Sequence, residues 1–599
     1  MDWAVFLVIS AAVLAVSAAA AIRLVLRKQT AGRWMTPFNM LLAGTAAAVF
    51  TALLPILRES LRDTAPGGFQ VCMLTLHRTF QAFTVDIDAE AMLECVRQAD
   101  TAASPVYSVY LSGLLVLAPV MTFGFILSII RNISASVKYL TRYFSEVYAF
   151  SEPNEKTVSL AGDLKKNHPR AMLVFAGCGE EAGEWQGQAK RLGAACFTGD
   201  LLSAGLEHHS SRANITFFAA SENESGNVST ALRLLDDFRG REHTFLYVDA
   251  CGQEGELALS SADKGKVRVR RVNEIRNLIY HELDRQGEKL FADALTPDGA
   301  GIRQISAVIL GLGRYGTEML RALAWYGQMD GYRLTIDAFD LDSAAEDRFS
   351  ALYPELTAAP FNGSSDPDDS QYTIRIHSGV DVTTKTFLDA IEQLRDTTWA
   401  FVSLGSDELN MQTAAALRQQ FERMHLTHRP TILAVINRTE LKNTFAELKN
   451  FRGESYEIGF IGDLQTSWSE DAIMHSALEQ EALQGHLAWG EEESFWNYEY
   501  NYRSSMACAI HRKARAACGI PGTGKTEEEL TEEEREILGK LEHRRWNAYM
   551  RSEGYIFSGS TDKSSRNDLG KMHHDLVSWS QLTDEAERRK DTRVAAPKA

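Results

Sequence analysis

The stretch Ser306-Ala-Val-Ile-Leu310-Gly311-Leu-Gly313-Arg314-Tyr315-Gly316-Thr-Glu-Met-Leu-Arg-Ala-Leu-Ala-Trp-Tyr-Gly327 decides the fold of most of this chain. Its first five residues read as a buried strand, and the run after the glycines carries apolar residues at helical spacing. Between them stands G-x-G-x-x-G. In a strand–loop–helix turn of this kind the first glycine permits the tight turn. The second lets the backbone approach a pyrophosphate, and the third lets helix and strand pack closely. The opening turn of the helix offers N–H groups with no partner inside the helix, a cradle for phosphate, and Arg314 adds positive charge. The next apolar run ends in Phe339-Asp340-Leu-Asp342, which puts Asp340 where a ribose-binding carboxylate belongs. The candidate nucleotide site is therefore Gly311, Gly313, Arg314, Tyr315, Gly316, Asp340 and Asp342, with NAD or another nucleotide as cofactor. The alternative is a turn of the same shape whose ligand site has been lost.

Outward from this turn, short β-rich runs alternate with helical stretches. Candidate strands Val147–Phe150, Ala171–Ala176, Ala194–Thr198, Ile215–Ala219 and Thr244–Val248 form one series, with helices such as Glu155–Lys166 and Val228–Arg239 between them. After a linker near residues 285–302 a second series follows: Ser306–Leu310, Leu334–Phe339, Trp399–Leu404 and Thr431–Ile436. This alternation predicts an α/β fold with tandem Rossmann-like, doubly wound parallel sheets, residues 144–290 and 302–475. The nearest glycine pattern of the first unit, Gly177-Cys-Gly179-Glu-Glu-Ala-Gly183, has its last glycine out of place. Glu180 and Glu181 would also repel a phosphate there. That unit reads as a structural or regulatory partner.

Residues 1–143 have a different chemistry. Trp3 to Ile22, Met35 to Leu57 and Thr101 to Ile130 carry no charged residue, the last being apolar from about Val106. Each is long enough to cross a hydrocarbon core of about 30 Å as a helix, giving spans near 3–26, 35–57 and 106–131. Arg23, Arg27, Lys28 and Arg33 follow the first span, and Arg131, Lys138 and Arg142 follow the third. Basic flanks of this kind are cytoplasmic, so the N-terminus and the loop of residues 58–105 are expected outside. Cys72 and Cys95 lie in that loop, where an oxidising compartment would allow a disulfide; two buried free thiols are the alternative. A cleaved signal peptide is the rival reading of residues 1–22, but the basic cluster follows the apolar run instead of preceding it. Three uncharged helices enclose no aqueous path, so conduction would need an oligomer and anchoring is the plainer expectation. The full chain of 599 residues has a formal charge of −17, which argues against a nucleic-acid partner.

Two motifs remain. Gly519-Ile-Pro-Gly-Thr-Gly524-Lys525-Thr526 matches a phosphate-cradling loop letter for letter, yet the residues before it, His511-Arg-Lys-Ala-Arg-Ala-Ala-Cys518, are a basic helix rather than a buried strand. The match reads as a loop between helices. After a helical linker of residues 476–535 comes Leu541-Glu-His543-Arg544-Arg-Trp546-Asn-Ala-Tyr549, then Glu553-Gly554-Tyr555, then Lys571-Met-His573-His574-Asp-Leu-Val577-Ser-Trp579 and Lys590-Asp591. Trp546, Tyr549 and Tyr555 could form an aromatic wall, with His543, Arg544 and Lys571 as polar partners for an anionic or aromatic ligand. The competing reading makes these aromatics the core of a small domain. His573 and His574 lack the company of a metal site, and no metal is expected. No catalytic constellation emerges, with Asp407 lacking an evident partner.

On GLGRYG with Asp340, and on Phe401-Val-Ser-Leu-Gly-Ser-Asp-Glu-Leu-Asn410, residues 145–475 resemble the RCK/TrkA-N regulators of bacterial potassium channels and transporters. Residues 536–595 resemble the RyR (ryanodine receptor repeat) domain, here a small, mainly helical module ending the chain at 599. The resemblance implies a multi-pass protein of the bacterial inner membrane, acting as a homo-oligomer, in which a small nucleotide ligand bound by cytoplasmic domains changes the membrane helices. The spans do not resemble a potassium channel, so ion transport does not carry over with it. An interaction scaffold without ligands and, less favoured, an NAD-dependent oxidoreductase are the alternatives.

Overall fold

The computed structural model describes residues 3–27, 37–62, 67–99, 101–141, 143–179, 183–296, 301–364, 366–445, 448–474 and 476–596. Lys28, Arg33, Arg142, Glu180 and Glu181, which carried parts of the sequence reading, lie outside these residues. The chain forms two compact units, Met1–Thr141 and Arg142–Ala599.

In the first unit three helices are long and apolar enough to cross a membrane, over Trp3–Arg23, Met40–Ser60 and Ser104–Phe123. The third helix continues to Thr141 with Pro119 inside it. Small and hydroxylated residues bring the helices together. A Cβ on Gly44 would fall 2.2 Å from Ser17 Oγ, while Ser10 Oγ donates to the Ala48 carbonyl (2.7 Å) and Tyr107 Oη to that of Ala52 (2.6 Å). Such contacts hold helices where the surroundings are as apolar as the side chains. The segment 58–105 is largely helical rather than a loop, with helices Gly68–Thr84 and Ala89–Gln98. Cys72 and Cys95 are both free thiols here, and Cys95 Sγ donates to the Ile56 carbonyl (3.8 Å).

The second unit contains two six-stranded, all-parallel sheets. The first comprises β1 (Val147–Phe150), β2 (Met172–Phe175), β3 (Ala195–Cys196), β4 (Ile215–Ala219), β5 (Thr244–Asp249) and β6 (Arg268–Val272). The second comprises β7 (Arg303–Leu310), β8 (Tyr332–Asp340), β9 (Tyr372–Ser378), β10 (Trp399–Val402), β11 (Thr431–Val435) and β12 (Ile458–Ile461). The orders are β3-β2-β1-β4-β5-β6 and β9-β8-β7-β10-β11-β12. In both, the chain winds outward one way from its first strand, returns beside that strand, and winds outward the other way. This order opens a crevice at the carboxyl ends of strands one and four. Buried Phe175, Phe150, Phe218 and Tyr247 stack in a row across β2, β1, β4 and β5, with ring centroids 4.7, 4.9 and 5.2 Å apart.

Strands β6, β9 and β12 escaped the sequence reading. β6 is Arg-Val-Arg-Arg-Val, whose charges look solvent-facing until glutamates from distant helices meet them. β9 hides behind Arg375 and His377, which both bind the buried Asp337 carboxylate. The helices Glu499–Ala517 and Glu532–Ser552 pack against the helix Arg314–Tyr326, and Ile305, Ile309, Leu320, Leu323, Leu541 and Tyr549 share one core. The described residues from 143 to 596 therefore fold as one body rather than as beads on a string. Gly519–Thr526 follows the end of the helix Glu499–Ala517, no strand precedes it, and Lys525 pairs with Glu534 (2.5 Å).

Candidate functional site

The loop after β7 takes the conformation its glycines permit. Gly311 has φ +87°, and a Cβ there would stand 2.4 Å from the Ser403 carbonyl. A Cβ on Gly316 would stand 1.8 Å from the Gly311 carbonyl. Both glycines are thus required by the fold. Gly313 is different: its φ is −66°, nothing lies within 4 Å of an added Cβ, and it is the N-cap of the helix Arg314–Tyr326. Packing gives no reason for its missing side chain. The space beside it is a cavity of about 530 Å³ at the carboxyl ends of β7, β8, β10 and β11, within the ~300–1,000 Å³ usual for small-molecule sites.

Gly311, Gly313, Arg314, Tyr315 and Asp340 line this cavity, along with Ser403, Asn410 and Asn437. Asp340 accepts from the amides of Leu312 (2.6 Å) and Asp342 (2.7 Å), so its carboxylate holds the glycine loop in shape. Asp342 does not line the cavity; it pairs with Arg348. Tyr315 Oη bonds Asn437 Oδ1 (3.2 Å), and burial, with Glu274 close by, pushes its pKa up to about 12. Asn437 is fixed in turn by Asp407, which accepts from the amides of Asn437 (2.9 Å) and Arg438 (3.0 Å) and from Arg438 Nε (3.2 Å). Asp407, partnerless in the sequence reading, is therefore an anchor for one wall of the cavity. Those backbone and guanidinium donors overcome burial and keep its carboxyl below the ordinary range.

No family model and no curated protein matches this chain. The site must be read from its own geometry.

A second cavity, about 140 Å³, lies among the C-terminal helices, with Trp489, Tyr500, His543, Trp546, His573 and Lys590 in its wall. Of the six residues expected around a ligand there, only His543 and Trp546 reach it. His543 is buried between Asp591 (Nδ1, 2.9 Å) and the Val577 carbonyl (Nε2, 2.9 Å), and the Asp591 carboxylate outweighs burial and raises its pKa. Arg544 turns toward Asp330 (3.5 Å). Lys571 Nζ donates to the Glu553 carbonyl (2.8 Å), Tyr555 packs near Tyr500, and Tyr549 is core. Helical spacing explains the split: on one helix, Arg544 and Trp546 point to different sides. Trp489, Tyr500 and Arg566 were missed because no local pattern joins them.

The acid judged lacking beside His573 and His574 is their neighbour Asp575, with one ligand atom from each residue within 4.8 Å of the others. Burial first, then Arg566 and the other nearby cations, drive the His573 pKa down to about 3. The same positive surroundings oppose a metal ion.

A buried ion-pair network ties the glycine-loop helix to the rest of the unit. From that helix, Glu318 binds Arg276 (2.6 Å) and Arg321 (2.6 Å). Glu553, at the end of the long C-terminal helix, binds Arg276 (3.0 Å), Arg321 (2.5 Å) and Arg503 (3.3 Å). Burial alone would raise the Glu553 carboxyl; these guanidiniums reverse that and hold it at about 2.

Proposed function

We propose that this protein is a membrane-anchored sensor that binds a nucleotide, NAD being the first candidate, in the cavity beside Gly311–Gly316. The observation that carries the reading is Gly313, whose missing side chain serves nothing in the protein itself but leaves the backbone open to a diphosphate. Further support comes from the Rossmann-like strand order, the unpaired N–H groups opening the helix Arg314–Tyr326, and the charge on Arg314. Occupancy would act on that helix and, through the Glu318 and Glu553 ion pairs, on the C-terminal module, which resembles a RyR domain. A ligand shifts such an assembly only by its difference in affinity for two states. On this reading the three apolar helices sit in the bacterial inner membrane with the N-terminus outside, the α/β region is cytoplasmic, and the chain works as a homo-oligomer like the RCK/TrkA-N regulators it resembles.

A tethered scaffold is the second reading, favoured by one observation: the Asp340 carboxylate is already occupied by the amides of Leu312 in the glycine loop and of Asp342 after β8. Thermal unfolding of the full-length protein in detergent, with NAD, ATP, ADP-ribose and cyclic nucleotides, separates the two. A saturable shift with one of them, lost in Gly313→Asp, is the expected result. No shift with any leaves the scaffold, and turnover of a bound cofactor would make the protein an enzyme. Liposome flux with and without the active nucleotide then tests the membrane step.

A further inference from the structure

We propose that the junction of β6 with the helices Glu274–Gln286 and Glu499–Ala517 is a binding site for a small inorganic anion, distinct from the nucleotide cavity and not dependent on that reading. A small, partly open space of about 40 Å³ lies there, with Lys264, Arg270, Arg271, Arg276 and Arg503 in its wall beside Trp496 and Tyr502. Three guanidinium nitrogens of these residues are buried without a hydrogen-bond partner: Arg270 Nη2, Arg276 Nη1 and Arg503 Nε. Arg270 and Arg276 are only 7% and 6% exposed. Buried donors normally find acceptors, because an unmade bond forfeits the full desolvation cost of the group.

Charge counting says what kind of acceptor is missing. Arg270 pairs with Glu479 (3.2 Å), and Arg271 with Glu256 and Glu499 (2.9 Å each). Arg503 shares Glu256 (3.0 Å), Glu499 (2.8 Å) and Glu553. Arg276 and Arg321 share Glu318 and Glu553. The five arginines of this network are thus matched by five carboxylates. Lys264 is left over. Its Nζ donates to the Asn497 carbonyl, and among the described residues no carboxylate lies within 4.0 Å of it. Burial pulls its pKa down, with Glu499 acting the other way. Water in the space would satisfy the idle N–H groups but leave one surplus positive charge in a low-dielectric pocket, an expensive arrangement. A small anion answers both needs. Since one water takes roughly 10–15 Å³ by this measure, the space suits a halide or a single tetrahedral oxyanion and excludes a nucleoside.

The position gives the site a consequence. Asn273 and Arg276 face the anion space, while Glu274 and Ile275 of the same helical turn line the glycine-loop cavity. Each occupant therefore bears on a wall of the other cavity.

The test uses full-length protein in detergent, with sodium gluconate replaced by chloride, bromide or phosphate at constant ionic strength and pH, and with NAD at fixed gluconate as a separate arm. A saturable upward shift of Tm with a free anion is expected, halide and phosphate arms telling which chemistry fits better. Lys264→Met removes the surplus charge and leaves the five pairs intact, so it should fold and lose the shift. An unchanged shift in Lys264→Met would place the effect elsewhere and overturn the proposal. So would the absence of any anion-specific shift in the natural protein, or a shift with NAD alone. Bromide anomalous scattering gives a second readout that needs no variant: a peak beside Arg270, Arg276 and Arg503 supports the site, and water alone there refutes it.

Discussion

The two parallel sheets of the second unit share a strand order and even a buried fastening. Asn227 accepts from the Ser221 amide (2.7 Å) and donates to the Asp249 carbonyl (2.9 Å). Asn410 likewise joins the Leu404 amide to the Val435 carbonyl (2.9 Å). What differs is the loop after the first strand. In the second sheet it is Gly-Leu-Gly, beside an open cavity. In the first it is Ser151-Glu-Pro-Asn154, with no glycine, and Asn154 caps the next helix while its amide binds the Ala220 carbonyl (2.7 Å). Two residues on, Lys156 is bound to Asp249 (3.3 Å) and Glu274 (2.7 Å) and lies over the Trp468 ring. The glycine pattern at Gly177 follows the second strand, so it was never the counterpart of Gly311. Strand order makes a crevice; loop chemistry decides whether anything can enter it.

The comparison breaks most severely if the fastening of the second sheet to its neighbours is cut. Glu553→Gln leaves Arg276, Arg321 and Arg503 short of a carboxylate and should destabilise the second unit by about 3–5 kcal/mol, read by denaturant unfolding. The same group predicts acid sensitivity. Its folded pKa of about 2 lies below the ordinary 4.5, so its contribution is full above about pH 4.5 and is lost as pH falls toward 2. A pH–stability profile of Glu553→Gln should therefore be flatter than that of the natural protein over that window.

Gly316→Ala, with its Cβ 1.8 Å from the Gly311 carbonyl, should cost roughly 3 kcal/mol or more and loosen the second sheet while leaving the first intact. A smaller effect of opposite sign is expected in the first sheet. Burial raises the Asp249 pKa to about 6, against the pull of Lys156. Because the folded pKa is raised, the ionised carboxylate costs stability in full above about pH 6, and the cost fades as pH falls from there to about 4. Asp249→Asn should then stabilise at pH 7.5 by about 1–2 kcal/mol and do nothing near pH 3.5; thermal unfolding at both pH values checks it. The smallest change in stability and the sharpest in function belong to Gly313→Ala: within about 0.5 kcal/mol of the natural protein, yet without the nucleotide-induced shift. Hydrogen exchange should show ligand protection at the Gly311–Thr317 loop and none at Ser151–Asn154, and protection at Ser151–Asn154 instead would reverse the comparison.

Much of the fold was legible in the residues. The apolar runs predicted three membrane-length helices, and nine of the strands stood near where alternating apolar blocks put them, because burial on both faces of a parallel strand leaves a continuous apolar signature. The glycine loop was legible because G-x-G-x-x-G marks the turn in consecutive residues, although Ser403 and Asp340 are what make it fit. β6 was not, since Arg-Val-Arg-Arg-Val looks like surface until Glu479, Glu256 and Glu499 arrive from elsewhere in the chain. Nor were the roles of His543 and Arg544, because spacing along one helix says which residues share a face but not which face meets a cavity. Sequence alone determined that this chain has membrane-length apolar helices, tandem parallel sheets and a glycine-rich turn between strand and helix. Tertiary structure alone decided that Gly313 borders open space, that Asp407 anchors a cavity wall, and that a lysine is left over among five matched ion pairs. The physical reason is range: apolar periodicity and turn chemistry act between near neighbours, whereas charge balance and cavity shape depend on groups that only folding brings within a few ångströms.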